Sequence, residues 1–330
     1  MAQEYLINYL VSNVISANIV SFDPLPLKRM KPMSQEQRDL INAIMTNSPL
    51  DLGGELIEQR TILHQMLTSH PLPDDVSSAP IMLGGVPALS IDITGQASHG
   101  TILFFHGGVF AMGSAEASVG LACDLGRRAH MRVITVDYRL APEHPYPAAT
   151  DDAFAAYQAL VATGDAGQIT IAGESAGGNL AVITLLAIRD AGLPVPSACV
   201  VLSPWTDLAV TGDSSITKAA ADPALTPSAL RIRARDYLGE LDPSSGAVSP
   251  IYADLTGLPP LLIQVGSNEI LLDDAVRLAA IAAAADVRVI LDITPEVPHV
   301  FQAFSALLDE GDDALDRAAA FLRSNTTTLV

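Results

Sequence analysis

The rhythm of apolar and polar positions changes near residue 79. Before it, Leu6, Tyr9, Leu10, Val14 and Ile15 recur at helical spacing, as do Leu40, Ile41, Ile44 and Met45, and later Leu56, Leu63 and Leu67. Proline-rich breaks at Asp23-Pro24-Leu25-Pro26 and His70-Pro71-Leu72-Pro73 punctuate these predicted helices. After it, short apolar runs alternate with longer helical patterns, which predicts βαβ units and a largely parallel sheet. The predicted strands are Pro80–Leu83, Pro87–Ile93, Thr101–Phe105, Arg132–Asp137, Gln168–Ala172, Ala198–Leu202, Leu261–Val265 and Arg288–Ile293. The apolar ones are continuous rather than alternating, as strands covered on both faces require. Helices are predicted near 115–129, 148–162, 177–191, 271–285 and 311–323, the Ala-rich stretch from Ala275 to Ala285 suiting close packing on a sheet. The alternation breaks between Thr206 and Ser249, where Pro223, Pro227 and Pro243 surround one predicted helix near 227–239. A connection that long inside a compact α/β domain is usually functional, often a lid. The expected organisation is a helical preface over residues 1–75 and one α/β domain over 76–330, with an insertion at about 206–249.

Composition narrows the picture. The 330 residues are 49% hydrophobic and 17% charged, enough for a sizeable core. A net charge of −19, with no basic run, argues against a nucleic-acid partner, because phosphates would be repelled along most of the surface. Cys123 and Cys199 are widely spaced within apolar patterns, which suits buried packing groups in a reducing cytosol better than a disulfide or metal pair. The start, Met1 to Val20, carries Glu4 and lacks the basic n-region of a secretory signal. No apolar run approaches the ~18–20 residues needed to span a bilayer. The expectation is a soluble cytoplasmic protein. No G-x-G-x-x-G follows a first strand, no Walker loop is present, and no His/Cys/carboxylate spacing suggests a metal, so neither cofactor nor metal is expected.

Chemistry concentrates at Gly173-Glu174-Ser175-Ala176-Gly177, between a predicted strand and a predicted helix. G-x-S-x-G in that context is a nucleophile elbow, and a Cβ at Gly173 or Gly177 would collide where strand and helix approach. A serine needs an adjacent base. Of seven histidines, His64 and His70 fall in the preface, His99 lies in a turn, and His130 ends a helix. His106 and His144 come too early for the order Ser, acid, His, which leaves His299, in the loop after the last predicted strand. The acid must follow Ser175 near a strand end. Glu269 lies in the turn after Leu261–Val265, while Asp273 and Asp274 fall where the next helix begins and are explained by its dipole. Glu269 is the favoured acid and Asp273 its rival. The expected oxyanion hole is the backbone N–H of Gly107 and Gly108, after strand Thr101–Phe105, together with Ala176 N–H. Trp205 reads as a packed aromatic at a strand end, with an acyl-pocket wall as the alternative.

Four stretches carry a family resemblance: His106-Gly107-Gly108; Asp137-Tyr138-Arg139-Leu140-Ala141-Pro142-Glu143-His144-Pro145-Tyr146-Pro147-Ala148; Gly173 to Gly178; and Pro298-His299. Over roughly residues 79–325 the chain resembles the hormone-sensitive-lipase-like branch of the α/β-hydrolases, to which the Asp137–Ala148 block is specific. The run from Val265 to Asp274 looks most like the subgroup of monoterpene ε-lactone hydrolases. The resemblance implies an α/β-hydrolase fold, with a central, mostly parallel eight-stranded sheet flanked by helices. Residues 1–75 and 206–249 would form its helical cap. It implies ester or lactone hydrolysis by Ser175, Glu269 and His299, and leaves a homodimer open. Two departures stand out. The third glycine of H-G-G-G is Val109, which would stiffen the loop or narrow the pocket, and the usual Asp-Pro-Leu at the acid is Glu269-Ile270-Leu271. Two alternatives use the same fold. One is a ligand receptor, which the presence of His299 disfavours. The other is acyl transfer or deacetylation through the same triad.

Overall fold

A computed structural model describes residues 34–69 and 71–326. The predicted helical stretch from Leu6 to Ile15 lies outside the described residues. Two helices precede the sheet, α1 (Gln35–Thr46) and α2 (Leu56–Thr68). The strands are β1 (Val76–Leu83), β2 (Val86–Ile93), β3 (Thr101–Phe105), β4 (Arg132–Val136), β5 (Ile169–Glu174), β6 (Ala198–Leu202), β7 (Leu261–Gly266) and β8 (Val289–Thr294). All eight predicted strands are present. Between them run α3 (Val119–Ala129), α4 (Ala148–Val161), α5 (Ala176–Asp190), α6 (Ser214–Thr217), α7 (Pro227–Leu238) and α8 (Leu272–Ala284), and α9 (Asp309–Asn325) follows β8. Helix α3 starts later than the pattern predicts, because residues 115–118 form turns instead of a first helical turn.

One sheet orders the strands β1-β2-β4-β3-β5-β6-β7-β8, with β2 antiparallel to β1 and β4 and every other pair parallel. The inner strands β5, β6 and β7 are buried almost throughout, whereas the edge strand β1 is largely exposed. That contrast is why the inner runs are continuously apolar. Helices cover both faces: α4, α5 and α8 bury one apolar layer, and α3 with α9 bury the other. Cys123 and Cys199 are free and buried, one in each layer.

The chain leaves β3 to form β4 on one side and returns to form β5 on the other, so the connections diverge at the carboxyl ends of β3 and β5. Ligand sites in open parallel sheets form at such switch points. Side chains tie the flanking segments to this edge. From α2, Arg60 donates to the carbonyls of Ala111 and Ala141 at 2.7 and 2.8 Å and pairs with Glu143 at 2.7 Å, which holds the Glu143 carboxyl down at about 2. From α7, the buried Arg233 donates to Leu52 O at 2.6 Å and to Gly54 O. From α1, Ile41 packs with Val297 and Phe301, beside the loop that carries His299. No helix among the described residues is long and apolar enough to cross a membrane.

Candidate active site

Ser175 stands between β5 and α5 with φ 55° and ψ −120°, a conformation that costs a non-glycine residue about 1–3 kcal/mol. The reason is close packing. A Cβ on Gly173 would lie 2.2 Å from Gly177 O, and one on Gly177 would lie 2.1 Å from Phe105 O. Strand, turn and helix are therefore held at glycine distance, and the hydroxyl is pushed clear of the backbone.

His299 Nε2 lies 3.0 Å from Ser175 Oγ, and His299 Nδ1 lies 2.6 Å from Glu269 Oε2. Glu269 is fully buried, and its other oxygen accepts Gly266 N–H at 2.8 Å and Ser203 O–H at 2.7 Å. Burial pulls the His299 pKa down, but the charge and hydrogen bond of Glu269, with Asp222 and Glu174 adding, lift it above its ordinary value. Asp273 stands elsewhere. Its Oδ2 accepts Ser214 N–H at 2.7 Å, across from α6. Asp274 accepts the N–H groups of Thr206 and Asp207 and, being buried, is pushed well above the usual carboxylate range. Glu269 alone of the three meets His299.

The oxyanion-loop expectation needs one correction. Gly107 N–H donates to Glu174 Oε1 at 2.8 Å, so it is already occupied. That bond opposes the burial that lifts the Glu174 pKa. Among the described residues, the N–H groups of Gly108, Val109 and Ala176 have no acceptor. The carbonyls of His106, Gly107, Gly108 and Phe110, by contrast, are taken. Tyr138 O–H donates to His106 O at 2.7 Å, His106 Nδ1–H to Gly107 O at 2.7 Å, the N–H groups of Ala111 and Met112 to Gly108 O, and Ala141 N–H to Phe110 O. These bonds hold Val109 and Phe110 at φ 52° and 60° without glycine. The Asp137–Ala148 block thus buttresses the loop from below. Burial drives the His106 pKa down to about 4, so its ring is neutral, stacked on Tyr138 and unavailable as the base. Trp205 is completely buried, with its indole N–H on Asp207 O and its ring beside Phe110, which is itself stacked on Tyr237.

Strand order, elbow and the Ser–His–Glu contacts together define an α/β-hydrolase architecture. Residues 102–303 match the family model described as alpha/beta hydrolase fold, and the chain belongs to that family. It is 46% identical to an acetyl-hydrolase of Streptomyces hygroscopicus over 227 residues, 68% of this chain and 76% of the relative. It is 39% identical to an esterase of Acinetobacter venetianus over 284 residues, 85% of this chain and 92% of that one. The crystal structure of an esterase from the bacterial hormone-sensitive lipase family superposes with a TM-score of 0.86 at 39% identity, covering 90% of this chain and 100% of its own. The branch that the motifs resemble is thus the branch the fold matches.

Proposed function

We propose that the protein is a carboxylic ester hydrolase that works through a covalent acyl-enzyme on Ser175. The observation that carries this reading is the line of contacts from Ser175 Oγ through His299 to Glu269, at 3.0 and 2.6 Å. His299 Nε2 takes the Ser175 proton as an Oγ lone pair forms the bond to the ester carbonyl carbon, and the π pair of the C=O bond moves onto the oxygen to make the oxyanion. The free N–H groups of Gly108, Val109 and Ala176 receive it, with Val109 in the place expected of Gly107. Each such donor contributes about 3–4 kcal/mol to the barrier reduction. Glu269 holds the imidazole with Nδ1 protonated and stabilises the imidazolium. His299 then protonates the leaving alcohol, and water repeats the cycle to release the acid. The name of one relative, an acetyl-hydrolase, favours short acyl esters. Lactones fit the same chemistry, with the alcohol tethered to the acyl group. The segment 206–249 and the described part of the preface, from residue 34 to residue 75, act as the cap, supported by the Arg233 contacts that join the two and the Arg60 contacts to the sheet edge.

The test is hydrolysis of short and medium p-nitrophenyl esters beside an ε-lactone panel, comparing wild type with Ser175→Ala. Turnover should fall by roughly 10⁴-fold or more in the variant. A wild type that binds esters without turning them over would transfer the reading to a receptor. Product analysis with added alcohol separates hydrolysis from acyl transfer.

A further inference from the structure

We infer that Ser203 is a positioning residue that joins the acid to the base, an inference that rests on the Ser175–His299–Glu269 reading. Ser203 follows the last residue of β6, the strand lying between the one that ends at the nucleophile and the one that ends near Glu269. It is fully buried. Its Oγ–H donates to Glu269 Oε1 at 2.7 Å, and the same Oγ accepts Val300 N–H at 3.0 Å. Val300 is the residue after His299. A backbone N–H can only donate, so it occupies the acceptor side of the hydroxyl and turns the single hydroxyl proton towards the carboxylate. One side chain thereby sets the acid relative to the loop that carries the base.

The backbone around Ser203 reaches the third member. Leu202 O accepts Ser175 N–H at 2.9 Å, and Trp205 N–H donates to Ser175 O at 3.0 Å. Within the stretch from Leu202 to Trp205, Leu202 and Trp205 therefore bond to Ser175, and Ser203 bonds to Glu269 and to the residue next to His299. The conformation is held against preference. Ser203 has φ 48° and Val300 φ 49°, matching the strained Ser175, Val109 and Phe110 on the same edge. Strain in non-glycine residues persists only where surroundings over-determine it, and it gathers at functional sites. The carboxylate accepts on both sides, from Gly266 N–H and Ser203 O–H on Oε1 and from His299 on Oε2, so removing the hydroxyl loosens its orientation about the remaining bonds.

The experiment uses the full chain with p-nitrophenyl acetate and compares Ser203→Ala, Ser203→Gly and Ser203→Cys with Ser175→Ala and Glu269→Gln. Ser203→Ala and Ser203→Gly should each lose on the order of ten- to a hundredfold in kcat with KM little changed. Ser203→Cys, a weak donor of similar shape, should fall between them and wild type. With one donor removed from Oε1, more charge faces His299, where Asp222 and Glu174 remain as the other acidic neighbours. The acid limb of kcat/KM should therefore move to higher pH, and the downfield Nδ1 proton resonance of His299 should shift. In a Glu269→Gln background the Ser203→Ala loss should largely vanish, because the two changes act on one contact. Wild-type kcat and acid limb in both Ser203→Ala and Ser203→Gly, with Ser175→Ala and Glu269→Gln inactive, would overturn the inference and leave the triad intact. Lower melting temperatures with an unmoved limb and resonance in all three variants would assign Ser203 to folding alone, and overturn it equally. Active Ser175→Ala or Glu269→Gln would instead remove the triad on which it rests.

Discussion

The proposed nucleophile elbow and the proposed acid–base arm meet at 3.0 Å between Ser175 and His299, yet they are built in opposite ways. The elbow is contiguous. Five residues, two of them glycines without room for a Cβ, force Ser175 into its strained backbone. The arm is dispersed. Glu269, His299 and Ser203 lie on three different strand ends and are held by hydrogen bonds between side chains and distant backbone. A site made by sterics fails through added atoms, and a site made by hydrogen bonds fails through lost donors or acceptors.

The sharpest break of the elbow is Gly177→Ala. Its new Cβ would sit 2.1 Å from Phe105 O and 2.4 Å from His106 O, backbone atoms that cannot move aside without shifting β3. Expression should be poor, and any folded fraction should lose at least 1–3 kcal/mol by denaturant titration, with activity lost as well. Adding a methyl group to the arm's surroundings should be milder.

For the arm, the informative change is isosteric. Glu269→Gln preserves shape but offers one acceptor atom where three donors converge. If the amide oxygen faces Ser203 and Gly266, its NH₂ faces His299 Nδ1 and favours the wrong tautomer, so kcat should fall by roughly 10³-fold or more while the melting temperature changes little. The pH profile carries a sign. In wild type, His299 is lifted above its ordinary value of 6.5, and it must be neutral to act as the base, so the acid limb of kcat/KM should have its midpoint above 6.5. Without the Glu269 charge, burial is the dominant influence left, and the residual activity should show that limb at lower pH. The same linkage acts on stability. The His299–Glu269 pair stabilises the fold fully below the unfolded histidine pKa, and that contribution is lost as pH rises through the folded value.

The smallest effect tests how far the arm extends. Asp222, in the segment between β6 and β7, accepts Ala224 and Leu225 N–H on one oxygen and Ile270 N–H on the other, the last at 2.8 Å and adjacent to Glu269. Asp222→Asn cannot accept on both sides, and it also removes a charge facing His299. A threefold to tenfold loss in kcat is expected. An unchanged kcat would confine the arm to the strand ends themselves.

Much of the architecture was legible along the chain. Continuous apolar runs marked the inner strands β3 to β7 with boundaries within about two residues, because burial on both faces leaves no polar alternation to obscure them. The elbow and its glycines were legible for the same local reason. The loop after β3 was only partly so. Gly107 looked like a donor by position, and what it lacked was a partner that only folding supplies, the carboxylate of Glu174, 67 residues away. Turn placement alone favours Glu269 over Asp273, and in the fold Asp273 is drawn to Ser214 instead. Ser203 carried one faint signal, a hydroxyl just past a strand end, and nothing in its neighbours announced a role.

By itself, then, the sequence determined the period of each element, the order Ser, acid, His, and the tight turn at Ser175, all of which depend on residues near one another. Tertiary structure decided which N–H groups stay free, which carboxylate meets His299, and that Ser203 joins partners 66 and 97 residues away. Those contacts depend on which strands lie side by side, here β5, β6, β7 and β8 in that order. A hydrogen bond forms only within about 3 Å, and no local pattern encodes which distant groups the sheet will bring that close.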